Sequence, residues 1–201
     1  MISVSSNEVK YICLDSPENT EEILNFEHLV LAVGSTYVHP FHANFNDRSE
    51  QIAYNQTTFN QIKEAQRVLV IGGGSVGVEL AGELATDYPN KEITLISSNT
   101  RLLATMSQKA SDLALSILGN LKVQVIFKEK IDFKKFDENF KENQSVTLSD
   151  GKKLEFDAYF QCVGVTPNTQ VIKECQPDWI DNNGFIKVNG NLQVLMCKSI
   201  M

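Results

Sequence analysis

A glycine-rich turn between a predicted strand and a predicted helix constrains this chain more than any other feature. Arg67 opens the apolar strand Val68–Ile71, which leads directly into the turn Gly72-Gly-Gly-Ser-Val-Gly77. The segment Ser75–Asp87 repeats apolar residues every four positions, which predicts an amphipathic helix. Between a strand and a helix, the spacing G-x-G-x-x-G is typical of dinucleotide binding. The sequence therefore predicts a Rossmann-like fold in the middle of the chain.

Each glycine of this turn has its own predicted role. Gly72 permits the tight turn, Gly74 lets the backbone approach a pyrophosphate, and Gly77 lets the helix pack against the strand. The helix N-terminus adds unpaired N–H groups, so Gly73 and Ser75 join the predicted binding residues. The alternative is a turn that serves packing only.

The end of the second predicted strand, Glu92–Ile96, bears on the choice of nucleotide. A carboxylate at this point usually binds the ribose of NAD, about 20 residues beyond the last glycine. Here Ser97 occupies that position, and no acidic residue follows before Arg101. Nothing in this segment repels a 2′-phosphate, and Arg101 either pairs with one or is a solvated surface residue. The sequence therefore permits NADPH as well as NADH.

The remaining patterns predict an α/β chain. Helices are predicted over 50–65 and 107–118, and the second of them should stop at Gly119. A hairpin turn is predicted at 150–151. Further strands are predicted over 9–14, 26–33, 123–127 and 158–163. One order of residue types occurs twice, in 26–34 and in 156–164: a Phe, an acidic residue, an apolar strand and then Val-Gly. This repeat predicts two related sheets.

The domain organisation follows from these elements. We expect an NAD(P)H-binding Rossmann-like domain over residues 50–150. Residues 1–49 are expected to be partial strands of a second, FAD-binding-type domain. Residues 151–201 are expected to end the NAD(P)H domain and return partly to the second one.

Composition narrows the class of protein. A net charge of −7 with scattered Lys and Arg argues against a nucleic-acid partner. The four cysteines include no CxxC, which argues against a zinc ribbon and a secreted disulfide scaffold. Without a signal peptide, a lipidation motif or a long apolar run, the expected location is the cytoplasm or another intracellular reducing compartment.

Three segments carry a family resemblance: 68–83 (VLVIGGGSVGVELAGE), 93–103 (ITLISSNTRLL) and 157–168 (DAYFQCVGVTPN). Together they resemble the FAD-dependent pyridine nucleotide–disulfide oxidoreductase superfamily. Within it, the chain is similar to the apoptosis-inducing-factor-2-like, ferroptosis suppressor-like branch of NAD(P)H:quinone reductases.

The resemblance implies a set of cofactor-binding residues. The glycines of the turn hold the NAD(P)H pyrophosphate, Glu79 lies towards the nicotinamide, and the backbone of Val163 and Gly164 lines the cofactor. The segment 32–35 corresponds to a motif at the FAD domain, which adds Ala32 and Gly34. Glu79 acts either as an acid–base catalyst or as an exposed or helix-capping carboxylate, and hydride transfer requires positioning more than proton transfer.

The chain also departs from the family. An upstream G-x-G-x-x-G for FAD, a closing Gly-Asp pair and the redox cysteine pair are not found in these 201 residues. The resemblance thus implies the NAD(P)H-binding portion of an oxidoreductase that passes hydride to FAD and electrons to a quinone-type acceptor. FAD is expected only if a partner chain completes its domain. The alternative is a pseudoenzyme, a nucleotide-binding or structural subunit that has lost FAD.

Two further segments bear on metal binding and on partner binding. His39 and His42 lack a clear third ligand, so no metal site is predicted. Phe133, Phe136 and Phe140 predict a small amphipathic insertion that packs on the domain rather than a partner-binding helix.

Overall fold

The computed structural model describes residues 1–13, 20–38, 40–41, 45, 47–132, 136 and 144–195. His39, His42, Phe133 and Phe140 lie outside the described residues. The chain divides into two compact units, residues 37–164 and residues 1–36 with 165–201. A late strand, 158–161, pairs with 68–71 in the first unit.

The described residues form both strands and helices. The strands are β1 (Ser3–Val4), β2 (Glu8–Ile12), β3 (Glu21–Asn25), β4 (Ser35–Thr36), β5 (Arg67–Ile71), β6 (Glu92–Ser97), β7 (Gln124–Phe127), β8 (Gln144–Thr147), β9 (Lys153–Phe156), β10 (Ala158–Gln161) and β11 (Thr166–Pro167). The helices are α1 (Arg48–Glu64), α2 (Ser75–Asp87), α3 (Gln108–Asn120) and α4 (Gln170–Cys175), with a 3₁₀ turn at Pro177–Trp179.

A four-stranded parallel sheet in the order β10-β5-β6-β7 organises the unit 37–164. The apolar residues of β5 and β6 are buried almost completely, as expected for parallel strands covered on both faces. Helix α2 covers the sheet with Gly77, Ala81, Leu84 and Ala85. The predicted α/β fold class and the predicted bounds of α2 are confirmed.

The end of α3 corrects one prediction. The helix does not stop at Gly119 but continues to Asn120. Lys122, with φ +62°, supplies the left-handed residue beyond the helix. Its N–H donates to the Gly119 carbonyl, and the Val123 N–H donates to the Leu118 carbonyl. This is the hydrogen-bond pattern of a Schellman motif, so a lysine closes the helix where a glycine was expected.

The unit formed by 1–36 and 165–201 holds an antiparallel sheet, β1-β2-β3, and the short pair β4–β11. Its apolar cluster is built from Val4, Val9, Ile172, Trp179 and Ile180. The predicted buried strand over 26–33 is wrong, because residues 26–33 form no ladder and Val30 is 86% exposed. A strand requires a hydrogen-bonded neighbour, and none lies beside this segment among the described residues.

A charged cluster joins the starts of β5 and β10. The Arg67 guanidinium donates to Asp157 (Nη2 to Oδ1, 2.6 Å) and to Glu155 (Nη1 to Oε2, 2.7 Å). Asp157 Oδ2 also accepts from the backbone N–H groups of Gln66 and Arg67. These bonds, the one from the Arg67 side chain first, hold the pKa of Asp157 below its ordinary value.

We expect Asp157→Asn to lower the free energy of unfolding by about 1–3 kcal/mol, because charge-assisted hydrogen bonds to a mostly buried carboxylate are lost. Since the folded-state pKa is depressed, this stabilisation is present above the unfolded pKa of about 3.9 and is lost as the pH falls towards the folded value. Urea unfolding at pH 7 and at low pH measures this contribution to the free energy of unfolding. The control Asp150→Asn removes an exposed pair with Lys152 and should change little. Equal effects of the two variants at pH 7 would contradict this assignment.

Candidate functional site

The turn between β5 and α2 has a backbone that only glycine can adopt at its first position. Gly72 has φ +123°, and a Cβ there would lie 2.2 Å from the Cys162 carbonyl oxygen. The Gly72 N–H donates to the Ile96 carbonyl (2.8 Å), and the Cys162 N–H donates to the Ile71 carbonyl (2.7 Å). The turn is therefore held between β6 and β10, where the strands end.

Gly77 lets α2 approach this turn closely. A Cβ at Gly77 would lie 1.9 Å from the Gly72 carbonyl oxygen and 3.3 Å from Cys162 Cβ. The predicted packing role of the third glycine thus has a direct steric basis.

The two middle glycines face different surroundings. A Cβ at Gly73 would lie 2.6 Å from Ser97 Oγ, so this residue is packed against β6. A Cβ at Gly74 would meet no atom within 4 Å among the described residues. Gly74 has an extended backbone (φ −78°, ψ −175°) that any residue adopts, so the structure itself gives no steric reason for glycine there. The open space beside Gly74 is what close approach by a ligand requires.

The N-terminus of α2 adds electrostatic attraction for an anion. Gly74 is the N-cap residue, and no described side chain caps this helix end. The first N–H groups of a helix lack intrahelical partners and carry a partial positive charge. Ser75 is exposed in this first turn. The site can therefore bind a phosphate oxygen through backbone N–H groups.

Ser97 lies beneath the turn rather than at the surface. It is only 1% exposed, and its Oγ accepts a hydrogen bond from the Asn99 N–H at 3.2 Å. The exposed positions at this strand end are Ser98, Asn99 and Thr100, which the spacing rule did not single out. Their one sequence signal is that they directly follow β6.

Arg101 is neither free nor simply solvated. Its Nη2 donates to the carbonyls of Ala104 (2.7 Å) and Met106 (2.9 Å), and its Nη1 donates to that of Leu103 (3.4 Å). The guanidinium thus organises the loop before α3. These bonds use three of the five guanidinium N–H donors.

Glu79, Val163 and Gly164 are exposed around the same end of the sheet. Glu79 lies in the second turn of α2, and Val163–Gly164 follow β10. The neighbouring thiol of Cys162 is partly buried, and burial raises its pKa to about 11. The thiol is therefore protonated at neutral pH and is a poor nucleophile.

Ala32 and Gly34 belong to the unit 1–36 with 165–201. Ala32 is exposed, while Gly34 is held by the Asn168 N–H, which donates to its carbonyl at 3.1 Å. The Asn168 side chain also donates to the Val33 carbonyl (3.2 Å) and accepts from the Thr36 hydroxyl (2.6 Å). Asn168 therefore organises this turn, and the sequence had marked it only as part of the segment 157–168.

No group of three or more His, Cys, Asp or Glu side chains among the described residues is placed to hold a metal ion. None of the described helices combines the length and hydrophobicity that a bilayer crossing needs.

Comparison with known proteins identifies the family. The profile of the family "Pyridine nucleotide-disulphide oxidoreductase" matches residues 1–201. The chain belongs to this family. It is 33% identical to human Ferroptosis suppressor protein 1 over 183 residues, which is 86% of this chain and 48% of the relative. It is also 33% identical to Apoptosis-inducing factor homolog A of Dictyostelium discoideum over 190 residues, which is 85% of this chain and 47% of that protein. These matches confirm the predicted superfamily and its ferroptosis suppressor-like branch.

Solved structures support the fold. NDH2 from Plasmodium falciparum in complex with NADH superposes with a TM-score of 0.65 at 21% identity, over 96% of this chain and 46% of that one. The water-forming NADH oxidase from Lactobacillus brevis bound to NADH gives 0.56 at 21% identity, over 86% of this chain and 38% of that one. The chain spans about half the length of the curated relatives it matches.

Proposed function

We propose that the turn Gly72–Gly77 binds the pyrophosphate of NADH or NADPH. One observation carries this proposal: Gly72, Gly73 and Gly77 are each required by packing, whereas Gly74 borders open space at an uncapped helix N-terminus. A turn built only for packing would not need glycine at position 74. Two phosphate groups placed there would accept hydrogen bonds from first-turn N–H groups and interact favourably with the helix dipole.

The proposed activity is that of an NAD(P)H oxidoreductase that passes hydride to FAD and electrons to a quinone-type acceptor. When bound, the nicotinamide supplies the hydride and the flavin accepts it. The role of this chain is to bind and orient the nucleotide, with Glu79 and Val163–Gly164 on the exposed rim beside the turn. Membership of the family and the identity to the ferroptosis suppressor-like branch support this activity.

The second candidate is a nucleotide-binding subunit without FAD. It would keep the single G-x-G-x-x-G unit of these residues for NAD(P)H. Under both candidates the turn binds NAD(P)H, so flavin content separates them.

We expect little discrimination between NADH and NADPH, with dissociation constants within about tenfold, or about 1.4 kcal/mol. Ser97 supplies no negative charge, and the Arg101 Nη atoms already donate to backbone carbonyls. Calorimetric titration with each nucleotide measures the ratio.

Arg101→Ala tests the reason for this expectation. The variant should weaken NADH and NADPH binding equally, because the loop before α3 loses its hydrogen bonds. A selective loss of NADPH affinity would show that Arg101 binds the 2′-phosphate and would contradict the prediction.

We also expect the 201-residue chain to retain no FAD after desalting. Its one glycine-rich turn is assigned to NAD(P)H. The described residues contain no second turn of this kind to donate charge-assisted hydrogen bonds, worth roughly 1.5–3 kcal/mol each, to another pyrophosphate. The visible spectrum after incubation with excess FAD measures this. Stoichiometric flavin absorbance, or NADH-dependent quinone reduction by the chain alone, would overturn this prediction.

A further inference from the structure

Leu103 has a backbone conformation that is rare for a residue with a large side chain. Its φ is +49°, which lies in the left-handed region that favours glycine. A residue other than glycine keeps this conformation only where the contacts around it enforce it, and such residues often lie at ligand sites. The hydrogen bonds of Leu103 therefore indicate what the conformation serves.

The backbone of Leu103 connects the loop after β6 to the glycine turn. Its N–H donates to the Gly73 carbonyl at 2.8 Å. Its own carbonyl accepts from the Met106 N–H at 2.8 Å and from Arg101 Nη1 at 3.4 Å. The Leu103 peptide groups are thus held on both sides, and the N–H is fixed in its direction towards Gly73.

The beginning of the same loop is held as well. The Asn99 N–H donates to Ser97 Oγ at 3.2 Å, and the Asn99 carbonyl accepts from the Lys128 N–H at 3.2 Å. Lys128 also has a left-handed backbone, with φ +61°. Because hydrogen bonds hold the loop near both of its ends, the Leu103 N–H is a donor in a fixed place.

The bond from Leu103 sets the orientation of the peptide group between Gly73 and Gly74. In a trans peptide, the C=O and the following N–H point in opposite directions. Since the Gly73 carbonyl points to Leu103, the Gly74 N–H points away from the loop. Among the described residues, no acceptor for the Gly74 N–H is found, and the space beside Gly74 is open. The Gly74 carbonyl accepts from the Val78 N–H at 3.0 Å, which fixes the other side of this residue.

We infer that Leu103 is a positioning residue for pyrophosphate binding, whose N–H holds the Gly73–Gly74 peptide so that the Gly74 N–H is presented to a phosphate oxygen. A peptide between two glycines has no side chain to restrict its rotation, so an outside hydrogen bond must fix its direction. A donor that is fixed before the ligand arrives need not be ordered on binding, which favours affinity. The inference rests on the proposed binding of NAD(P)H at 72–77 and adds a residue from outside the glycine motif.

The test removes only the Leu103 N–H. Incorporation of the α-hydroxy acid analogue of leucine at position 103 replaces this amide by an ester and keeps the side chain. We expect NADH to bind this variant about tenfold or more weakly in calorimetric titration, the effect of losing one hydrogen bond. The matched control is the same analogue at position 102. Among the described residues, no hydrogen bond of the Leu102 N–H or of the preceding carbonyl is found, so this variant should bind NADH like the parent chain.

Nuclear magnetic resonance distinguishes positioning from a loss of stability. In the parent chain, the amide resonance of Gly74 should shift when NADH binds, because its N–H then donates to a phosphate oxygen. In the ester variant at position 103, NADH at saturation should shift this resonance less. Leu103→Gly keeps the N–H and adopts φ +49° without strain. It should therefore lose less NADH affinity than the ester variant, although it lacks the partly buried side chain that packs against the core.

The possible results separate this inference from the proposed function. Equal NADH affinity of the ester variants at positions 102 and 103, or an equal Gly74 shift in both, would overturn the role of Leu103 and leave the proposed function intact. A larger loss of affinity in Leu103→Gly than in the ester variant would assign the effect to the side chain and would also overturn the inference. If the parent chain bound no NADH, the proposed function and the inference would both fail.

Discussion

Gly74→Val is expected to weaken NADH binding by about a hundredfold or more, equivalent to about 2.8 kcal/mol, while the chain keeps its fold. The open space beside Gly74 accepts the new side chain without a clash, and the extended backbone at this position suits valine. The same side chain then occupies the space that a pyrophosphate needs, so hydrogen bonds to charged oxygens are lost. Calorimetric titration with NADH measures the affinity.

The control for this variant is Gly119→Val, since a Cβ at Gly119 also meets nothing within 4 Å. It lies near the end of α3 and should leave nucleotide affinity unchanged. In Gly74→Val, the loss of the N-cap glycine should lower the free energy of unfolding by about 1 kcal/mol. Thermal unfolding should show no larger loss of stability. Unaltered NADH affinity in a folded Gly74→Val would show that the turn serves packing only.

Gly77→Ala is expected to destabilise the unit 37–164 by about 3 kcal/mol or more. The added Cβ would lie 1.9 Å from the Gly72 carbonyl oxygen, and both atoms belong to backbone that cannot move independently. Helix α2 would have to shift away from the sheet and uncover Ala81 and Leu84. Urea unfolding followed by circular dichroism measures the loss.

Gly82→Ala in the same helix is the matched control. Its added Cβ would meet only Leu118 Cδ2, at 3.9 Å, which is ordinary van der Waals contact. Because alanine is the better helix former, this variant should raise stability by up to about 1 kcal/mol. If Gly77→Ala were as stable as Gly82→Ala, the close approach of α2 to the turn would be disproved.

Local patterns predicted the central unit well. The bounds of α2 follow from its four-residue repeat, and the strands β5, β6 and β10 follow from apolar runs that stop at a turn or a glycine. The hairpin at 150–151 likewise follows from its turn residues. These features depend on short stretches of chain, so the sequence contains their signal.

Side-chain orientation at the site was harder to predict. Ser97 was placed at the ribose position by counting residues, but its hydroxyl turns inwards to the Asn99 N–H. Arg101 was left as a phosphate ligand or a surface residue, and the structure adds that its guanidinium donates to carbonyls of its own loop. Both outcomes depend on the path of the loop after β6, which no periodic pattern encodes.

The sequence by itself determined the class of fold and the location of the glycine turn, because strand, turn and helix follow from local periodicity and glycine spacing. Only the tertiary structure decided which glycines are required by packing and which one borders open space. It also showed that residues 26–33 pair with no strand among the described residues, although their order of residue types matches that of the segment containing β10. The physical reason is the same in both cases: a close contact or a strand pair involves a second segment distant in sequence, and one segment's pattern cannot specify whether that neighbour is present.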